Sequence, residues 1–305
     1  MVELVKGYIK QPEKYRRGIF NISPFVTDDI FRNNYIWRNY RADSNPFISL
    51  NGLKLSITDS ATAALDLILS ELNLSANDEL WIVTTSGNKY ISSCVTRTIE
   101  KHCKWSRSYG SATAAILVNH EFGFISSEVE ELSGLGLPVI EDAAYSMYSE
   151  KADKKPGELS DYAFFSMAKM FPMQAGGLLY SKKGSVQQAS LSAEAASYFK
   201  SCFSFYDKYR KHIINSRLEA FRLYKESFSR EGFMPRFEPQ DGEVPGAFVF
   251  EAKGADLDGL KVFLQGHGIE CSVFYGEEAF YLPCHQNISQ QHIDYFLCLI
   301  KDYLK

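Results

Sequence analysis

"LPVIEDAAYS", Leu137–Ser146, runs four apolar residues into two carboxylates and then into small residues. The apolar part does not alternate with polar residues. A strand buried on both faces has that pattern, and such strands belong to mostly parallel sheets covered by helices on both sides. Ligands of these sheets gather at the carboxyl ends of the strands. Asp142, which ends this run, is therefore either the N-cap of a following helix or a carboxylate aimed at a ligand.

The flanking sequence repeats the theme. "ELWIVTT" (79–85), "AAILVNH" (114–120), "DYAFFSM" (161–167) and "GGLLYS" (176–181) read as further short strands. "SATAALDLILSEL" (60–72) is a helix opened by Ser60 as N-cap, and "SSEVEELSGLG" (126–136) a helix with an N-cap serine and a glycine stop. This alternation predicts an α/β fold, a mostly parallel sheet sandwiched by helices. The first ~55 residues are rich in aromatics, Asn and Asp, with helical pieces that the pattern does not place. Residues ~190–231 read as one long helical region. "EVPGAFVFEA" and "IECSVFYG" then read as strands, and "DLDGLKVFLQGHG" and "SQQHIDYFLCLIKDYLK" as helices. The expected organisation is a large α/β domain with the N-terminal segment over 1–205 and a smaller C-terminal α+β domain over 206–305.

The chain has 305 residues, 45% hydrophobic and 23% charged, with a formal charge of −4. That balance has no basic footprint, so nucleic acid is not an expected partner. No apolar run approaches the ~20 residues of a membrane helix, and the charged opening "MVELVKGYIKQPEKYRR" has no apolar h-region. Cys94, Cys103, Cys202, Cys271, Cys284 and Cys298 form no C-x-x-C pair, and the six histidines are dispersed. Reduced thiols in a cytoplasmic protein are expected, with no metal site and no membrane.

Three features carry chemistry. The turn at Ser60, Ala61 and Thr62 opens a helix, so free N–H groups and the positive end of the dipole suit a phosphate, although taken alone plain capping is the more ordinary reading. Asp142 is the strand-end carboxylate. Lys169, in "FFSMAKMFPMQAGG" (164–177), follows the strand-end Ser166 and precedes a glycine pair. Alone it reads as a surface lysine. As a nucleophile it needs desolvation to keep its amine neutral near pH 7, which Met167, Ala168, Met170 and Phe171 are expected to provide. In this order, phosphate cup, strand-end Asp, strand-end Ser and Lys are what pyridoxal 5'-phosphate requires.

Over residues ~56–180, and more weakly to the end, the chain resembles the DegT/StrS-type sugar aminotransferases, fold-type-I pyridoxal-phosphate enzymes. "SATAAL" looks like that family's S-G-T-x-A-L phosphate turn, and "NDELWIV" its G-D-E-V-I-V. "VNHEFG" is similar to its V-H-x-x-G, and "LPVIEDAA" is close to its P-V-I-E-D-A-A. "GELSDYAFFS" resembles G-S-L-G-D-x-x-x-F-S, and "GIECSVFYGEEAFYLPCHQNIS" its C-terminal segments. The resemblance implies that Asp142 faces the pyridine nitrogen and Lys169 forms the Schiff base. It also implies that Ser60, Ala61, Thr62 and Ser166 hold the phosphate. Tyr145 stands where the family has His or Gln beside the ring oxygen, and Tyr90 substitutes for its ring-stacking aromatic. The chain departs from the family in Ala61 for Gly, in a shorter approach from Ser166 to Lys169, and in lacking an N-Y-R segment around 190–215.

The function implied is transfer of an amino group, from glutamate, to a keto group of a nucleotide-linked sugar. A homodimer with the site at the interface goes with it, and "FVTDDIFRNNYIWRNY" is a candidate for part of the contact. A catalytically eroded member acting as a binding or assembly protein is the alternative. A dehydratase of the same fold is disfavoured because a lysine, not a histidine, stands at 169. A nicotinamide Rossmann domain is disfavoured because no G-x-G-x-x-G follows a strand.

Overall fold

A computed structural model describes residues 20–43, 45, 47–184 and 191–304. The stretch from Leu137 folds as read: β6 (Val139–Asp142) is buried at every residue. It lies between β5 (Thr113–Asn119) and β7 (Tyr162–Ser166) in a parallel set that also holds β3 (Glu79–Thr84) and β4 (Lys104–Ser106). β8 (Gly177–Ser181) runs antiparallel to β7, and a hairpin of β1 (Phe47–Leu50) and β2 (Leu53–Thr58) completes the edge. The order is β1-β2-β8-β7-β6-β5-β3-β4. From β3 the chain steps to β4 at the edge and then returns to β5 on the other side, so the strand order reverses between β3 and β5. A ligand crevice opens at that point in sheets of this kind.

The helices are α1 (Asp29–Asn39), α2 (Ala61–Leu72), α3 (Ser93–Ile99), α4 (Val129–Ser133), α5 (Met167–Met170), α6 (Ala193–Asp207), α7 (Arg210–Ser229), α8 (Leu257–Gly266) and α9 (Gln290–Tyr303). Leu65, Ile68 and Leu69 of α2 pack on Leu80, Leu117, Ile140 and Phe164 of the sheet. The other face is closed by α6, where Cys202 and Phe203 meet Ile57, Phe165 and Leu178, and by α4 over Val118 and Val139. Both faces are covered, which is why the strands are apolar throughout.

The structure adds β4 and α3, which the sequence reading did not place, and differs from it in further details. The first ~55 residues contain the β1–β2 hairpin besides a helix; Asn51 (φ 54°) and Gly52 (φ 83°) make its left-handed turn, the Asn-Gly pair that hairpins favour. Glu128, not a serine, occupies the N-cap position of α4 without a side-chain cap, while Ser126 Oγ accepts from the Glu128 N–H at 3.3 Å and the Ser126 N–H donates to the His120 ring at 3.1 Å; its Gly134 keeps an ordinary φ of −73°. The long helical region breaks at Lys208–Tyr209, where Tyr148 and Arg210 hold the Asp207 carboxylate at 2.8 and 3.0 Å. The C-terminal unit has a further strand, β11 (Ala279–Pro283), between β10 (Ser272–Phe274) and β9 (Ala247–Glu251) in an antiparallel sheet. Helices α7, α8 and α9 cover it over a core of aromatics such as Tyr224, Phe228, Phe248 and Phe296. The charged opening stretch lies outside the described residues. Among these, no helix is long and apolar enough to cross a membrane.

Candidate active site

Ser60, Ala61, Thr62, Tyr90, Asp142, Tyr145, Ser166 and Lys169 all line one cavity of about 280 Å³. It lies at the carboxyl ends of the parallel strands, and Asn119 and His120 from the end of β5 share its wall.

Ser60 caps α2 with extended backbone, its Oγ accepting from the Ala63 N–H at 3.1 Å. The N–H groups of Ala61 and Thr62 come before the first intrahelical bond, so the helix presents free donors and its positive end to the cavity. The glycine pair explains how β8 meets this turn. A Cβ on Gly177 would stand 2.3 Å from the Ser60 carbonyl carbon and 2.5 Å from the Ala61 nitrogen. Gly176, at φ +106°, donates to the Asp59 carbonyl at 2.7 Å and accepts from the Met167 N–H at 2.9 Å. The anion seat and the lysine turn are thus tied through two residues without side chains.

Asp142 is 4% exposed. One carboxylate oxygen accepts from Asn119 Nδ2 at 2.9 Å and the other from the Ala144 N–H at 3.1 Å. Burial pushes its carboxyl above the usual range, and these two donors, with His120 and Lys169, pull the other way. Its neighbour Glu141 takes the opposite side of the strand, as alternation requires. There it accepts from the His120 ring (2.7 Å), the Gly157 N–H (2.7 Å) and Ser160 Oγ (2.6 Å), all buried. The Ser126 N–H donates to His120 Nδ1, so Nε2 carries the proton given to Glu141. Glu141 and His120 form a structural strut behind the site.

Lys169 sits on the single turn α5, and its Nζ donates to the Tyr145 hydroxyl at 2.8 Å. Burial pulls the amine's pKa down, but Tyr145, Glu270 and Cys94 outweigh it and hold the amine above its ordinary value. The burial expected of this lysine is present, and the partners facing the amine oppose it. Met167, Met170 and Phe171 turn into the hydrophobic core, and a phenol from another loop governs the amine.

The sequence reading missed Asn119, and also Phe122, which lines the cavity with a left-handed backbone (φ 54°, ψ 25°). Its ring lies 5.0 Å from Tyr281 and 5.8 Å from Tyr145. Gly123 follows at φ +98°, where a Cβ would stand 2.2 Å from the Val244 carbonyl oxygen. The glycine in "VNHEFG" is the local signal for this close approach. Tyr90 faces the C-terminal unit, 6.1 Å from Phe274 and 5.8 Å from Tyr275, and burial raises its hydroxyl's pKa.

A helix start with free N–H groups, a buried carboxylate whose ionised form burial penalises, and a cavity amine suit a group with a phosphate, a cationic ring nitrogen and an aldehyde. Pyridoxal phosphate fits that description. Residues 107–199 match the model of the DegT/DnrJ/EryC1/StrS aminotransferase family. No curated protein matches the sequence significantly. The chain is similar to an aminotransferase TlmJ from Streptoalloteichus hindustanus at TM-score 0.71 and 14% identity, covering 94% of this chain and 99% of that one. Spr1654 from Streptococcus pneumoniae, described as a candidate sugar aminotransferase and solved in its PLP form, has TM-score 0.71 and 15% identity, covering 94% and 100%. DesI, solved in the presence of its TDP-sugar product, has TM-score 0.67 and 13% identity, covering 94% and 92%. At these identities the neighbours show the fold.

Proposed function

We propose that this chain, a pyridoxal-phosphate enzyme of the DegT/DnrJ/EryC1/StrS aminotransferase family, transfers an amino group from glutamate to a keto carbon of a nucleotide-linked sugar. The observation that carries the reading is the convergence of the Lys169 amine, the Asp142 carboxylate and the start of α2 on one cavity. The TDP-sugar in the DesI structure supports the acceptor class.

When bound, pyridoxal phosphate supplies an electron sink that acidifies the C–H bond beside the amine. Ser60, Ala61, Thr62 and Ser166 seat the phosphate, with the α2 N–H groups giving charge complementarity. Asp142 holds the pyridine nitrogen's proton, and its buried position strengthens that contact. Tyr145 donates to the ring oxygen, and Tyr90 packs against the ring. Lys169 would hold the cofactor through Nζ, and its amine would supply the base that moves a proton at the substrate carbon. Tyr145 stays at hydrogen-bond distance to keep that amine in place. By family analogy the enzyme is a homodimer with the site at the interface. All six cysteines are free, which supports a place in the reducing cytoplasm.

The test is reconstitution with pyridoxal phosphate. A visible absorbance band that borohydride fixes onto the Lys169 peptide and that glutamate converts is expected, and Lys169→Ala should abolish it. A wild-type protein that forms no band is no transaminase, and the reading as an eroded binding protein then stands.

A further inference from the structure

The last carbonyls of a helix find no partners within it, and the lysine turn α5 is short enough for this to apply throughout. All of its carbonyls are nevertheless taken. That of Met167 accepts from the Phe171 N–H at 2.7 Å, and that of Ala168 from Ser23 Oγ at 2.6 Å. The Lys169 carbonyl accepts from Arg217 Nη2 at 2.7 Å, and the Met170 carbonyl from Gln286 Nε2 at 3.0 Å. Three donors come from segments remote in sequence: the N-terminal region, helix α7 and the loop after β11.

Arg217 stands out among them. It is 1% exposed, and among the described residues no carboxylate pairs with it. Burial lowers its pKa to about 10. A buried cation without an anion is costly, and an apolar side chain of similar size usually packs there at no loss. What an apolar side chain lacks is the planar fork, which can hold carbonyls from several segments at once. Arg217 Nη1 reaches the carbonyls of Pro245 and Cys284 at 3.3 and 3.4 Å, and Nε reaches Gln286 Oε1 at 3.2 Å. Pro245 precedes Gly246, where a Cβ would stand 2.5 Å from the Tyr145 ring. One guanidinium thus braces the lysine turn on one side and the backbone against Tyr145 on the other.

We propose that Arg217 is the positioning residue of Lys169, clamping the carbonyl side of its turn so that Nζ stays on the Tyr145 hydroxyl inside the cavity. The proposal rests on reading Lys169 as the cofactor lysine, but its test does not need the cofactor. Acetic anhydride labelling of the full chain, read peptide by peptide by mass spectrometry across pH, gives the titration midpoint of Lys169. In wild type this amine is held above its ordinary value by Tyr145 against burial. Releasing the turn removes that support, so in Arg217→Met the midpoint falls by about one unit, a tenfold change in equilibrium. Surface lysines keep theirs. Arg217→Lys, which keeps charge but not the fork, falls as well. In the reconstituted enzyme both variants bind pyridoxal phosphate on the order of tenfold more weakly. Phe296→Leu, in the distant small-sheet core, serves as a control for lost stability alone.

An unchanged Lys169 midpoint in Arg217→Met, with melting lowered as in the control, overturns the proposal. If Arg217→Met does not fold, Arg217→Lys and Gln286→Leu are read the same way, and unchanged midpoints in both overturn it. A wild type that never forms the cofactor band sinks the functional reading instead and leaves the labelling result standing.

Discussion

Asp142 shows the conflict between stability and chemistry at a single residue. Burial raises its carboxyl pKa above the unfolded value of 3.8, so the folded state binds that proton more tightly. Ionised Asp142 therefore destabilises the cofactor-free fold at neutral pH, and this cost disappears as pH falls below the folded-state pKa. Asp142→Asn should melt higher than wild type at pH 7 without cofactor, with a margin that shrinks on acidification; Asn119 can turn its amide to stay bonded. If Asp142 serves the ring nitrogen as proposed, the same change removes a charged hydrogen bond of roughly 1.5–3 kcal/mol, and turnover should fall on the order of 10- to 100-fold. Calorimetry at pH 5 and 7 checks the first part, and a lower melting point at pH 7 would refute it. Tyr145→Phe is the companion experiment. It removes the phenol oxygen 2.8 Å from Lys169 Nζ but leaves the burial. The Lys169 labelling midpoint should fall below its wild-type value, and a midpoint that holds or rises contradicts the assignment. Asp142 was legible because a strand end announces itself in an apolar run. Its donor Asn119 was not, because the pairing of β5 with β6 that sets them side by side is a long-range register. Nor was the state of Lys169, which depends on a phenol on another loop.

At the scale of elements, the seat for the phosphate depends on backbone meeting backbone. A methyl on Gly177 would press on Ser60 and Ala61 main-chain atoms, none of which can rotate away. Gly177→Ala should cost about 1–3 kcal/mol of stability, the usual range for overpacking. The strand would also be pushed off the helix start, so the preference for pyridoxal phosphate over pyridoxal should shrink. Thermal melts with titrations of both compounds measure this, and an equal loss of affinity for the two would count against an anion seat at α2. The elements themselves were read with uneven success for physical reasons. Strands β3, β5, β6 and β7, as continuous apolar runs, and α2, with its good cap, came through within a few residues, whereas the short β4 carries no such run. The β1–β2 hairpin had its signal in Asn51-Gly52, but it lies among aromatic and polar residues that obscure the alternation. The break at Lys208–Tyr209 has no Gly or Pro to mark it, because tertiary contacts to Asp207 impose it.

Across the whole molecule, the division into residues 1–205 and 206–305 remains a proposal. It is supported by Phe203 of α6 packing in the core of the large sheet and Phe221 of α7 in that of the small one. Arg217 crosses this division to reach Lys169, so the small unit bears directly on the lysine. Helix α1 carries a second whole-molecule consequence, because it buries Asp29 and Asn33 beside Ile36 while exposing aromatics. Asp29 and Asn33 are buried: Asp29 accepts from the Val26 N–H, and Asn33 donates to the Pro172 carbonyl at 2.8 Å. Phe31 and Tyr35, one turn apart, are 77% and 62% exposed, with Ile30 and Val26 also exposed nearby. Among the described residues nothing apolar covers these exposed aromatics, so the patch suits an apolar partner. The homodimer expected of the family would provide a second copy as that partner, and a stable dimer needs about 800 Å² from each side. Phe31→Glu combined with Tyr35→Glu should shift the enzyme from dimer to monomer in light scattering, because four like charges would then face one another across a two-fold axis. The exposed positions make few contacts of their own, so the cofactor-free monomer should keep its far-UV spectrum. Cofactor affinity should fall with the dimer if the site is shared between subunits. A wild type that is monomeric at micromolar concentration, or a double variant that still dimerises, would place the contact elsewhere.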